Sequence, residues 1–190
     1  MQATLFPKIL VLAEGMMERI FINNNFSYAT LIPLENGEGW SLDALCDQIA
    51  SKYFIRNYDA DKIVVWIDRE KQNHSAEDMR GKIVDALVNR GADPAKIAIL
   101  LADRMSENVI LADEQVIKEE FGLEDYAYSH EGENGKHILK QMFNRAKETS
   151  YKETYHGSQL LKKIRLSRCA GTSPSVASFV QSLNLNCWWV

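Results

Sequence analysis

Short apolar runs recur along the first two thirds of the chain, and each gives way to a segment whose apolar positions fall at helical spacing. "KILVLA" (8–13) is apolar without alternation, the pattern of a strand covered on both faces. Helical character follows from Met16 to about Asn25. "YATLIPL" (28–34) is a second strand candidate, weakened by Pro33, and "NGEG" (36–39) is a loop. Ser41 caps a helix with Leu42, Leu45, Ile49 and Tyr53 on one stripe. "DKIVVWIDRE" (61–70) is the clearest strand and ends in acids. Ser75 caps a helix carrying Met79, Ile83, Leu87 and Val88, closed by Gly91. "KIAILLAD" (96–103) is the fourth strand, and "SENVILADEQVIKEEFG" (106–122) reads as one helix stopped by Gly122.

This alternation predicts an α/β fold with a mostly parallel four-stranded sheet flanked by helices. Beyond residue 122 the pattern is helical only: 134–148, 154–167 and 174–184, the last capped by Ser173 with Pro174 at its first position. Residues 1–128 are expected to form the α/β domain. Residues 129–190 are expected to form a helical extension packed on it, divided from it at "SHEGENG" (129–135) but not independent.

Composition narrows the class. The chain of 190 residues is long enough for one good core, and 46% hydrophobic and 25% charged residues match ordinary globular proteins. No apolar run reaches the roughly 20 residues of a membrane span, and "MQATLFPKILVLAEG" lacks the basic segment and cleavage site of a signal peptide. A cytoplasmic protein without a membrane partner is the expectation. Cys46, Cys169 and Cys187 form no CxxC pair, which argues for reduced thiols and against structural zinc.

Charge is unevenly spread. The net charge is −4, yet residues 136–168 carry nine Lys/Arg and two Glu, a local +7, while 1–135 carry −11. An acidic body with a basic segment suits a site that holds cations in one place and grips a polyanion in another. A solvated basic helix face explains the same numbers about as well. Lys136, Lys140 and Lys152 are the candidates for nucleic-acid phosphate contact, whereas Lys162 and Lys163 read better as solvated faces. Tyr151 and Tyr155 could stack on bases, although tyrosines four apart are more often core. The four histidines have no metal-ligand spacing, and no GxxxxGK[ST] is present, so the chain is not itself a P-loop ATPase.

The acids carry the chemistry. Ligands of open α/β sheets bind beyond the carboxyl ends of the strands. Glu14 follows the first strand, and Glu18 lies one helical turn on. Asp68 and Glu70, two apart, end the third strand, and Glu107 follows the fourth. Crowded carboxylates repel unless neutralised, and hard divalent cations such as Mg²⁺ or Mn²⁺ take oxygen ligands. Each acid taken alone is better explained as a first-turn helix acid or a loop acid. EGxxE after one strand together with DxE after another is the more specific pattern.

"LAEGMMER" followed by "VVWIDRE" resembles the TOPRIM domain of topoisomerases, primases and OLD-type nucleases. In that family a Glu-Gly after the first strand and a DxD after the third bind Mg²⁺. Glu14 and Gly15 match the first motif, Glu18 matches a second acid of the OLD-type branch, and Asp68 matches the first Asp. Glu70 stands where the family usually has Asp. "SENVILAD" (106–113), "GKHILKQMF" (135–143), "YKETYHG" (151–157) and "TSPSVASFVQSL" (172–183) further resemble a TOPRIM-related group that includes AbiL-type abortive-infection proteins, which commonly accompany an ATPase partner. The acid-Asn/Ala-Trp motif usual there is Glu107-Asn108-Val109 here, without the aromatic residue.

The resemblance implies a metal-dependent nuclease of bacterial antiphage defence. Glu14, Glu18, Asp68, Glu70 and Glu107 would hold Mg²⁺ or Mn²⁺; Glu14, Asp68, Glu70 and Lys136 would carry the catalysis. DNA and RNA are both open as substrate, as is a homo-oligomer. The alternative is a non-catalytic TOPRIM-like partner or regulatory subunit of an ATPase complex.

Overall fold

The computed structural model describes residues 7–35, 41–56, 59–69, 74–129, 131–185 and 187–190. Strands β1 (Ile9–Ala13), β2 (Ala29–Pro33), β3 (Lys62–Asp68) and β4 (Ile97–Ala102) form one sheet in the order β2-β1-β3-β4. All three pairings are parallel, with Ala13 beside Pro33 and Trp66, and Asp68 beside Ala102. Burial on both faces explains why β1, β3 and β4 read as unbroken apolar runs, while β2 at the edge is mostly half-buried. Pro33 is accommodated because it ends an edge strand, where the next amide, Leu34 N–H, still donates to Ala13 O at 2.8 Å.

Alternate side chains build two cores. Val11, Ala13, Val64, Trp66, Ala98, Leu100 and Ala102 face helix α1 (Met16–Asn25) and the entire C-terminal half. Leu10, Leu12, Ile63, Val65, Ile67, Ile99 and Leu101 face α2 (Leu42–Arg56) and α3 (Ala76–Val88). From β1 the chain passes over one face to β2, then back over the other face to β3 and β4, as right-handed crossovers require. The topological switch therefore lies between β1 and β3, where doubly wound sheets open a crevice at their carboxyl ends.

The expected helix 106–122 is two helices, α4 (Glu107–Leu111) and α5 (Glu114–Phe121). Asp113, fully buried, breaks it: its carboxylate caps α5 through Val116 N–H and takes a bidentate bond from Arg168 at 2.7–3.0 Å. Helix α6 (Gly135–Ala146) starts on its Asn134 cap. The expected helix 154–167 is a π-helical turn (Glu153–Gly157), then α7 (Ser158–Lys163) and α8 (Leu166–Cys169). Arg165, extended between the last two, donates its N–H to Asp113 at 2.8 Å. Helix α9 (Pro174–Leu183) closes the face against β4, capped by Ser173.

The C-terminal segment shares its core with β1, β3 and β4. Trp189 stacks on Trp66 with ring centroids 5.3 Å apart and donates its indole N–H to Leu161 O at 2.9 Å. The tail is thus packed through Trp189, while Trp188 is 40% exposed and lies under Arg165. Tyr151 is core and Tyr155 is exposed. The three cysteines are free thiols. Among the described residues no helix is long and apolar enough to cross a membrane.

Candidate functional site at the strand ends

Where β1 stops, Glu14 N–H donates across the switch point to Trp66 O at 3.2 Å. The turn that follows is locked by Arg19, whose guanidinium donates to Glu14 O at 2.5 Å and to Leu34 O at 2.6 Å. Gly15 caps α1 in an extended conformation without a side-chain bond. Its missing side chain has a use: a Cβ there would lie 1.9 Å from Glu18 Oε2. Glu18 folds back into that space and is only 3% exposed. Its Oε2 is buried and accepts no hydrogen bond.

Asp68 ends β3 on the α1 side, in phase with Val64 and Trp66. Ser106 Oγ donates to Asp68 Oδ1 at 2.7 Å and accepts from Trp66 Nε1 at 3.0 Å. Glu107 is buried at the start of α4, where Tyr151 Oη donates to its Oε1 at 3.4 Å. The π-helical turn brings up Glu153, which is ion-paired to Lys136. This turn packs so closely on α1 that a Cβ at Gly157 would lie 2.2 Å from Met17 Sδ and 2.6 Å from Tyr151 Oη.

Burial and mutual repulsion raise the pKa values of Glu18, Asp68 and Glu107. Burial raises the pKa of Glu18, opposed by the nearby Ser106 hydroxyl and reinforced by Glu153. Asp68 is raised well above its ordinary value by desolvation first, then by Glu18, Glu14 and Glu107. Glu107 is pushed to about 7 by burial and then by Glu153, with Lys136 opposing. Lys136 is raised in turn, first by its bond to Glu153.

The fold therefore brings Glu14, Glu18, Asp68 and Glu107 into one electrostatic field, with Lys136 at its rim. Glu70 lies outside the described residues. Among the described residues no three acidic, histidine or cysteine side chains already enclose a common point as metal ligands. Lys140 and Lys152 are exposed on α6 and before the π-helical turn. Lys163 and Arg168, also in the basic segment, are tied to Glu120 and Asp113.

Three residues escaped the sequence reading. Ser106 read as the start of a helix, Glu153 as one of two acids in a basic segment, and Gly157 only as the end of the motif at 151–157, none with a role in the site. "SE" at the start of a helix was the one local signal for Ser106; the others depend on a contact between α1 and the C-terminal half. Compared with known proteins, the chain matches no family model, no curated protein and no solved structure.

Proposed function

We propose that this chain is a metal-dependent nuclease of TOPRIM type that hydrolyses nucleic-acid phosphodiesters. The observation that carries the reading is the set of acids from the ends of β1, β3 and β4 at the switch point, whose raised pKa values a divalent cation would relieve. An all-oxygen donor set and the unbonded Glu18 Oε2 suit Mg²⁺ or Mn²⁺. Glu14, Glu18, Asp68 and Glu107 would hold the ion, with Glu70 completing the DxE motif. When bound, such an ion activates water and stabilises charge on the phosphoryl oxygens. Ser106 fixes the Asp68 carboxyl, and Lys136 neutralises the phosphate after exchanging Glu153 for it. Lys140 and Lys152 hold the backbone. The resemblance of residues 106–113, 135–143, 151–157 and 172–183 to the AbiL-type group adds an antiphage role beside an ATPase partner.

Two observations favour a second reading, a non-catalytic subunit of such a complex. The described carboxylates do not converge on a point, and Lys136 is already neutralised by Glu153. Cleavage of single- and double-stranded DNA and RNA, with Mg²⁺ or Mn²⁺ and with chelator, separates the two. Chelator-sensitive cleavage lost in Glu14→Gln and Asp68→Asn, both folded, supports the nuclease. Near-normal cleavage by either variant, or none by the wild type with its partner present, removes it.

A further inference from the structure

On the α1 face of the sheet lies an apolar cavity of about 60 Å³, enclosed by β1, β2, β3, α1, α9 and the C-terminal tail. Native interiors hold few voids larger than a water molecule, because a lining without partner atoms forfeits its contacts. This space exceeds the room one water needs, yet its apolar walls give water nothing to bond. We propose that the cavity binds the short alkyl chain of a small amphiphile, and that its occupancy acts on Asp68 through Trp66.

The lining sets the class of ligand. Its floor is the buried aromatic group of Phe21, Trp66 and Trp189. Trp189 stacks on Trp66 at 5.3 Å and lies against Phe21 at 4.9 Å, so the floor is preformed. The half-buried Tyr28 and Cys187 mark the mouth and bring a hydroxyl and a thiol to its rim. An apolar floor below a partly polar rim suits a chain that enters first and a polar head that stays in water. Volume limits the chain: a dry cavity of about 150 Å³ takes benzene. This one is less than half that size and takes a short chain rather than a ring.

Trp66 belongs to two places at once. Its ring lines the cavity, and its indole N–H donates to Ser106 Oγ at 3.0 Å. Ser106 Oγ in turn donates to Asp68 Oδ1 at 2.7 Å. Two hydrogen bonds therefore join a wall of the cavity to the last acid of β3. A chain seated against Trp66 restricts where the indole N–H points, and so where Ser106 holds the Asp68 carboxyl. The cavity and this link stand on their own residues; only the consequence, a rate of phosphodiester cleavage that responds to the occupant, rests on the nuclease reading.

The test is an NMR titration of chelator-treated protein with n-butanol, followed at the Trp66 indole N–H and the Asp68 side-chain carboxyl at one fixed pH. Saturable shifts of both, with a common midpoint, are expected. The butanediol with a hydroxyl at each end must bury a polar group, so it should bind about tenfold more weakly. Ala29 lines the cavity from the edge strand β2. Ala29→Val should weaken butanol binding and Ala29→Ile should abolish it, as the added methyl groups fill the space; if the isoleucine variant does not fold, the valine variant decides. Ser106→Ala should keep the Trp66 shift and lose the Asp68 one. No saturable shift, equal affinity for alcohol and diol, or wild-type affinity in the folded Ala29 variants overturns the pocket. A Trp66 shift with Asp68 unmoved in the wild type overturns the link. A wild type that self-associates, with dimers that Ala29→Ile dissolves, makes a second copy the occupant and overturns the small-molecule reading. No readout uses cleavage or metal, so failure of the nuclease reading and failure of this site are told apart.

Discussion

Ser106 donates its hydroxyl to Asp68 Oδ1 at 2.7 Å across 38 positions of sequence. The same oxygen accepts the Trp66 indole N–H, so one small side chain joins the last acid of β3 to the core beneath it. The first bond lowers the Asp68 pKa that burial raises.

Replacing Ser106 by Ala should therefore act twice. The Trp66 N–H loses its acceptor in a buried setting, which costs about 1–3 kcal/mol in denaturant unfolding. Asp68 loses the bond that favours its charged form, so its pKa should rise further when followed by carbon-detected NMR. A variant as stable as the wild type would mean that Trp66 finds another partner.

The buried acids set a pH dependence of stability. Their folded pKa values lie above the unfolded ones, so the folded state binds protons more tightly and stability falls as pH rises. For Glu107 the window runs from its ordinary value of 4.5 to about 7. Glu107→Gln removes this pH dependence, so the variant should gain stability relative to the wild type as pH rises between those values. Melting temperature against pH for the two proteins measures it. On the nuclease reading, added Mg²⁺ should shrink the gap at pH 7.5 by stabilising only the wild type.

Gly15 and Gly157 should respond differently to Ala. At Gly15 the new Cβ meets the end of the flexible Glu18 side chain, and φ is an ordinary −72°. The fold should hold while Glu18 is evicted, with its pKa falling as it reaches water. At Gly157 the Cβ meets Met17 Sδ and Tyr151 Oη inside the core, and overpacking should cost about 1–3 kcal/mol. Thermal unfolding of both variants checks the order, and an equal loss at the two sites would contradict it.

Salt dependence should separate the lysines. Lys140 and Lys152 are exposed, whereas Lys136 is held by Glu153. On the nuclease reading, Lys140→Gln with Lys152→Gln should flatten the log-log salt slope of duplex DNA binding by about 2 units, at roughly 0.9 per phosphate contact. Glu153→Gln should steepen it by about 1 unit by releasing Lys136. Unchanged slopes in both would leave these lysines as solvated helix faces.

The α/β class, the four strands and most helix starts were legible in the sequence because their causes are local. Ser75, Asn134 and Ser173 cap through bonds three residues away, Gly122 closes α5 in the left-handed region, and a doubly covered strand shows as an unbroken apolar run. The placing of Glu14, Asp68 and Glu107 at strand ends was legible for the same reason. Tertiary structure alone decided the rest. Asp113 breaks the expected helix 106–122 because Arg165 and Arg168, more than fifty residues on, bind its carboxylate. The strand order, which puts β1 beside β3 and so Glu14 and Glu18 near Asp68, follows from long-range pairing that periodicity does not encode. Lys136 is neutralised by a glutamate from a π-helical turn, and Glu18 owes its place to the missing Cβ of Gly15. A carboxylate's protonation depends on what surrounds it in space, and the surroundings of these four come from three strand ends and the packed C-terminal half.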